Sequence, residues 1–273
     1  MPELPEAETI VRGLASRLPG RTITGVHVKH ADVLPGLTPA AFGRALRGRR
    51  FEAVERRAKK VVLRLDDGRR LVVNLGMTGG LVLSRSPRAA EATHVAVRLD
   101  LDDGEQLLYD DARRFGRLEL LDPEGWERKH AALGAEPLAD DFTGKVLFEL
   151  TQRSRTPIRN WLLDQRRVAG VGNIYAAEAL FRAGIDPARP AKTVTRRQAT
   201  KLRDALRDVL AESIAARGTT ISDFRDEQGE AGTFARWLRV YGREDEPCVK
   251  CGRPIVRAVL ANRSSFFCRH CQR

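Results

Sequence analysis

The first six residues, Met1-Pro2-Glu3-Leu4-Pro5-Glu6, place two prolines and two carboxylates ahead of the first apolar run. An initiator methionine followed by a residue as small as proline is usually removed, which leaves Pro2 with a free secondary amine. Such an amine can attack an anomeric carbon and pass to a charged iminium without losing a second proton, so it displaces a base and then serves as an electron sink for elimination. Glu3 supplies a carboxylate that shuttles protons or stabilises an oxocarbenium-like sugar. A helix N-terminus just behind favours the neutral amine, whereas Glu3 and Glu6 favour the ammonium, and the residues alone leave that balance open. Taken by itself, the stretch reads more simply as a helix cap.

The second chemical cluster lies at the other end. Cys248, Cys251, Cys268 and Cys271 form C-x2-C, a gap of sixteen residues, and C-x2-C, the spacing of a structural zinc site. Four thiolates close the tetrahedron and leave no position for water, so one zinc would hold the fold and perform no hydrolysis. Beyond Glu246 the chain carries no acid but six cations: Lys250, Arg253, Arg257, Arg263, Arg269 and Arg273. A module of that charge faces phosphates, and His270 reads as a surface residue or a phosphate contact.

The elements that must position these groups follow from periodicity. Ile10, Val11, Leu14 and Leu18 recur at helical spacing, predicting a helix from about 5 to 18 that Gly20 stops. From about 21 to 121 the chain alternates in short runs, among them Val61, Leu63, Leu65 and Leu71, Val73, Leu75, with Asp-Asp-Gly turns at 66–68 and 102–104 suited to hairpins. An antiparallel sandwich or barrel is expected. After the turn-rich stretch 137–144 the period shifts to 3.6, with Thr195 capping a helix that runs through Leu202, Leu206, Val209, Leu210 and Ile214 towards Gly218. The segment after it is polar, long enough to form a loop, and carries Asp223, Asp226, Glu227 and Glu230.

The 273 residues include 48 Lys and Arg against 36 Asp and Glu, a net charge of +12 that points to a polyanionic partner. No run of about 18 apolar residues and no secretory leader is readable, which excludes a membrane span and makes the cytoplasm the expected location. The absence of a clustered His and carboxylate set speaks against a metal hydrolase. Charge and cysteines alone would suit a noncatalytic nucleic-acid-binding protein equally well; retention or removal of Met1 separates that reading from the Pro2 chemistry.

Nine stretches, including "MPELPEAET", "RRAKKVVL", "NLGMTGGL", "DDARRFGRLEL", "GVGNIYAAEALFRAGIDP", "RGTTISDF" and "ANRSSFFCRHCQR", resemble in order and content the formamidopyrimidine-DNA glycosylases, bacterial enzymes that excise oxidised purines. The resemblance implies an α+β protein: an N-terminal antiparallel β-sandwich over 1–136, a helix-two-turns-helix domain over 137–240 with a lesion-recognition loop at about 218–235, and a zinc finger over 241–273. It implies a bifunctional glycosylase and abasic-site lyase acting as a monomer on double-stranded DNA that contains an oxidised purine, with no redox or nucleotide cofactor. Pro2 would be the nucleophile, Glu3 the acid/base partner, Glu6 a support for the terminus, and Lys59 the phosphate-contacting catalytic lysine. Met77, Arg113 and Phe115 would fill the void left by the extruded nucleotide; His94, Asn173 and Arg263 would contact phosphates, Arg263 close enough to the lesion to count with the catalytic set. Leu4 separates the chain from the endonuclease VIII branch, which typically has glycine there. Ala112 departs from the proline common at its position, and the loop is markedly acidic for a segment that the resemblance implies closes over the flipped base.

Overall fold

The structure, a computed structural model, describes residues 2–221 and 224–273. Met1, on which the processing question turns, and Ser222 and Asp223, the latter one of the four loop acids, lie outside the described residues. The chain divides into two compact units, Met1–Ala131 with Ala216–Thr233, and Ala132–Ala215 with Phe234–Arg273.

The first unit opens with helix α1 (Leu4–Ala15), shorter than the sequence spacing predicts. Leu18 is fully buried but lies beyond the helix, where Arg17 turns away to reach Glu105 at 3.0 Å. Two four-stranded antiparallel sheets follow. One has the order β2 (Phe51–Arg57), β3 (Lys60–Leu65), β4 (Arg70–Asn74), β8 (Arg117–Leu121); the other has β1 (Ile23–Val28), β6 (Val95–Leu101), β7 (Gln106–Asp110), β5 (Gly80–Ser84). Both Asp-Asp-Gly turns join the hairpins expected of them, with Gly68 and Gly104 at φ +81° and +80°.

Val61, Leu63, Leu71 and Val73 from one sheet meet Leu81, Val97, Leu99, Leu107 and Tyr109 from the other in a single core, and the Ile10–Leu14 stripe of α1 packs on it. Burial is not confined to one sheet face. Val62 and Val72 point the other way and are also buried, because Trp126 of α4 (Pro123–Ala131) covers them, with the Arg70 guanidinium stacked 5.1 Å from its ring. Helices α2 (Pro39–Leu46) and α3 (Pro87–Ala90) complete this unit.

Residues 216–233, which the sequence reading attaches to the helical segment, pack here instead. Phe224 enters the sandwich core, the Leu83 N–H donates to the Glu227 carbonyl at 3.1 Å, and buried Asp226 pairs with Arg217 at 2.5 Å. Gly13 of α1 makes room for this segment. A Cβ there would lie 2.0 Å from the Glu227 carboxyl carbon, so a larger residue would displace that carboxylate.

The second unit contains α5 (Gly144–Thr151), α6 (Ile158–Leu163), α7 (Asn173–Ala183) and α8 (Arg196–Ala215), then a hairpin of β9 (Val256–Leu260) and β10 (Arg263–Phe267). Thr195 caps α8 as its sequence implies, its Oγ1 accepting the Gln198 N–H at 3.3 Å. The Leu202, Leu206, Val209 and Leu210 stripe is fully buried. The carboxylate of Glu178, on α7 and fully buried, accepts the backbone N–H groups of Arg239, Val240 and Tyr241 at 2.9–3.0 Å, tying the helix to the stretch that leads into the cysteine module.

Candidate active site and metal centre

Glu3 is the N-cap of α1 and exchanges hydrogen bonds with Glu6 in a reciprocal capping box. The helix-cap and chemical readings of the stretch thus describe the same residues. Pro2 is buried, and Glu3 and Glu6 are 3% and 1% exposed. Glu6 is bivalent: Oε2 accepts the Glu3 N–H at 2.8 Å and Oε1 accepts the Thr219 N–H at 2.7 Å. One carboxylate therefore fixes the N-terminal Pro-Glu pair and the start of the acidic segment together. Thr219 has no local signal in the sequence, because its role is set by a partner more than two hundred residues away.

Lys59 does not lie in a strand. It occupies the two-residue turn between β2 and β3, beside Ala58 at φ +55°, so strand alternation sets no facing for it. The turn is braced from α1: Glu8 accepts from Arg56 Nε at 2.9 Å, and Arg56 Nη1 donates to the Ala58 carbonyl at 3.0 Å. Lys60 starts β3 and is half-buried, and that burial lowers its ammonium below the usual lysine range.

Met77 lies in the β4–β5 turn; Arg113 and Phe115 lie in the β7–β8 turn. The structure brings the two turns together. The Arg113 N–H donates to Thr78 Oγ1 at 3.1 Å, and the Arg113 guanidinium sits 4.7 Å from the centre of the Phe115 ring, which is 54% exposed. Exposed His94 stands just ahead of β6, and its carbonyl accepts the Asp111 N–H at 3.0 Å. Burial pushes the neighbouring Asp110 carboxyl up, while His94 draws it down.

In the second unit Asn173 opens α7 behind Gly170, at φ +88°, and Gly172, its N-cap. Arg263 opens β10 and is exposed. The residue that joins their surroundings is Arg159, which sequence reading misses. Only 1% exposed, it donates to Asn160 Oδ1 and the Leu260 carbonyl from Nη1 and to Asn173 Oδ1 (2.6 Å) and the Ser264 carbonyl from Nη2. Asn173 Nδ2 also donates to the Ser264 carbonyl, at 2.9 Å. Burial, and secondarily the Arg263 charge, lowers Arg159 below the ordinary guanidinium range.

The four cysteine sulfurs lie within 4.8 Å of one another, with Cys248–Cys271 at 3.9 Å and Cys251–Cys268 at 3.6 Å. A zinc tetrathiolate with bonds of ~2.3 Å has sulfur–sulfur edges of ~3.8 Å, close to both of these distances, so the four thiols suit the metal. Without a metal, burial and the three neighbouring thiols push Cys271 up to about 12. Lys250 is exposed, yet its Nζ is engaged: it donates to the carbonyls of Phe181 and Arg182, capping the C-terminus of α7.

A sandwich led by a Pro-Glu helix, a glycine-fronted helix beside an arginine-bearing hairpin, and a tetrathiolate ribbon together define a zinc-ribbon protein with an antiparallel β-sandwich unit. Family models agree along the chain: "Formamidopyrimidine-DNA glycosylase N-terminal domain" matches residues 1–118, "Formamidopyrimidine-DNA glycosylase H2TH domain" residues 133–225, and "Zinc finger found in FPG and IleRS" residues 245–273. The chain belongs to the formamidopyrimidine-DNA glycosylase family. It is 47% identical over 272 residues to the formamidopyrimidine-DNA glycosylase of Chloroflexus aggregans, covering 100% of this chain and 98% of that one. Among solved structures it resembles the MutM (Fpg) protein of Thermus thermophilus, with a TM-score of 0.87 and 41% identity over 99% and 98% of the two chains. It also resembles the Lactococcus lactis Fpg in complex with DNA containing an abasic site, with a TM-score of 0.91 and 30% identity over 99% of each chain. Among the described residues no helix is long and apolar enough to cross a membrane.

Proposed function

We propose that this protein is a DNA glycosylase and abasic-site lyase of base excision repair that removes oxidised purines from duplex DNA through the Pro2 amine. The observation that carries the reading is the Glu6 carboxylate, which holds the N-terminal Pro-Glu pair and the Thr219 segment in one arrangement. Full-length similarity to glycosylases supports it.

Removal of Met1 frees the Pro2 amine. Its nitrogen bonds to C1′ of the damaged nucleotide as the bond from C1′ to the base breaks, and the base leaves with the electron pair and a proton. Glu3 delivers a proton to the ring oxygen, the C1′–O4′ bond opens, and the nitrogen lone pair completes the iminium. Loss of a C2′ proton expels the 3′ phosphate, and a second elimination expels the 5′ phosphate. Water then hydrolyses the imine and restores the amine.

Lys59, a point cation on a braced turn, holds the phosphate beside the attacked sugar. Asn173 and Arg263 hold the phosphate region near the lesion, using the N–H groups at the start of α7 and a guanidinium on a pinned hairpin. His94 adds a phosphate contact. Met77, Arg113 and Phe115 occupy the space left in the stack, where Phe115 wedges and Arg113 donates to the orphaned cytosine. Cys248, Cys251, Cys268 and Cys271 hold one zinc, which fixes the hairpin and takes no part in the chemistry. The functional domains are 1–136, 137–240 and 241–273; the recognition loop at 218–235 belongs to the second in sequence but packs, through Thr233, with the first unit, and the protein acts as a monomer in the cytoplasm on nucleoid DNA.

Incubation with a duplex carrying 8-oxoguanine opposite cytosine, followed by borohydride and peptide mapping, tests the mechanism. The expected product is a covalent adduct on Pro2 of a chain lacking Met1. An adduct on an internal lysine with Pro2 unmodified, or no adduct, overturns it.

A further inference from the structure

Asp111 is 1% exposed and lies between the two turns that carry Met77 and the Arg113–Phe115 pair. Its Oδ1 accepts the Thr78 hydroxyl at 2.5 Å and the Arg113 N–H at 3.3 Å. Its Oδ2 accepts the Gly116 N–H at 2.8 Å and the Tyr109 hydroxyl at 3.0 Å. Thr78 passes the connection on, since its oxygen also accepts the Arg113 N–H. The backbone of Asp111 is fixed as well, by the His94 carbonyl on one side and the Arg114 N–H on the other.

The turns are packed as closely as glycine permits. A Cβ at Gly76 would lie 2.5 Å from the Gly116 nitrogen and 2.7 Å from the Phe115 carbonyl carbon, and one at Gly116 would lie 1.8 Å from the Tyr109 hydroxyl oxygen.

Four donors converging on two oxygens require a group that only accepts. An ionised carboxylate meets that condition; an amide of the same shape turns an NH2 towards two of the donors. The four bonds also offset the cost of burying the charge. Burial and the Asp111 charge together keep the Tyr109 hydroxyl protonated far above the usual tyrosine range, so it remains a donor.

A wedge separates stacked bases only if its base of support does not yield, and unstacking costs a few kcal/mol. The Phe115 turn is braced by the Arg114–Asp32 pair at 2.9 Å and by Arg117 Nη1 donating to the Arg114 and Gly116 carbonyls, but none of these bonds reaches the Met77 turn. Ala112 imposes no φ restraint, and Arg114 sits at φ +53°. What ties this turn to the Met77 turn is the carboxylate beneath it, together with Thr78.

We propose that Asp111 is a positioning residue for strand opening, registering the Met77 turn against the Arg113–Phe115 turn so that both enter the stack as one rigid body. The proposal rests on the glycosylase reading and adds a residue that touches neither base nor sugar.

The test compares the full-length wild type with Asp111→Asn and with Thr78→Val, which removes one donor and leaves the carboxylate. One substrate is an 8-oxoguanine duplex with 2-aminopurine beside the lesion, reporting stack opening on binding. The other is a single-stranded abasic oligonucleotide trapped with borohydride, which needs Pro2 but offers no stack to open. Asp111→Asn is expected to lose about 10- to 100-fold in single-turnover excision from the duplex, the size of effect produced by a misplacement of about 1 Å. It should lose the fluorescence rise and melt several degrees below wild type, since buried donors lose their acceptor, while trapping on the single strand, read at a temperature where the variant is folded, stays within about twofold. Thr78→Val should show the same pattern at about 3- to 10-fold. Wild-type opening and excision in both variants overturns the proposal, as does an equal loss on both substrates, which would mark general disruption. If the wild type itself is not trapped, the lyase reading fails by that result alone; the fluorescence comparison, which needs only binding, still decides the role of Asp111.

Discussion

Replacing Glu6 by glutamine keeps the shape of the side chain and removes its second acceptor. In the structure both oxygens are in use, Oε2 by the Glu3 N–H and Oε1 by the Thr219 N–H, in a residue 1% exposed. Whichever way the amide is placed, one of those donors faces an NH2 group. A buried donor left without an acceptor costs ~1–3 kcal/mol. The bond that survives passes from charge-assisted to neutral and loses about half its strength, adding ~1 kcal/mol. The sum, ~2–4 kcal/mol, corresponds to a fall in melting temperature of roughly 4–16 °C at the ~2–4 °C per kcal/mol usual for chains of this size. Because one of the two bonds fixes the residue next to Pro2, single-turnover release of 8-oxoguanine should fall by about 10²-fold. Thermal melting and rapid-quench excision on one preparation measure both quantities. A variant that melts within about a degree of wild type and excises at the wild-type rate would refute the claim that this carboxylate holds the site together.

Three further outcomes follow from named contacts. Removing zinc with a chelator, or making Cys268→Ser, should lower the melting temperature and weaken binding to any duplex, since structural zinc in small modules contributes ~10 kcal/mol or more of folding free energy; unchanged melting and binding would remove the structural role. Arg159→Met, which keeps apolar volume but deletes four hydrogen bonds, should cost about 3 kcal/mol and weaken DNA binding; retention of full affinity in a filter-binding titration would show that the Asn173–Ser264 contact stands without it. Glu105 is buried, which opposes its ionisation, yet Arg21, Arg17 and Arg85 hold its carboxyl below the usual range. A depressed carboxyl stabilises above its unfolded value of 4.5 and loses that contribution as pH falls below it, so wild type should destabilise between about pH 4.5 and the lower folded value more steeply than Glu105→Gln; parallel acid limbs in melts at graded pH would contradict this.

The groups legible in the sequence are those whose chemistry is written in adjacent residues. Pro2 and Glu3 are neighbours, the cysteines carry their own spacing, and Thr195 caps the helix that follows it; each depends on a few covalently close positions, so residue type and interval suffice. The hairpins joined by Asp-Asp-Gly were readable for the same reason. Lys59 shows where that reasoning stops, because strand alternation says nothing of a residue that proves to sit in a two-residue turn. Other features required the folded chain. Glu6 acquires its second partner from Thr219, Arg159 gathers acceptors from α6, α7 and the β9–β10 hairpin, and Asp111 collects donors from two turns that are separate in sequence. A buried polar group must be matched by whatever the fold brings to it, and a sequence read locally records the group but not its partners. The primary structure by itself thus determined the proline and carboxylates of the opening stretch, the metal-binding thiols and the periodicity of the elements. Only tertiary packing decided which carboxylates hold the Pro2–Glu3 segment and the Met77 and Arg113–Phe115 turns in place, because the deciding bonds join residues far apart along the chain.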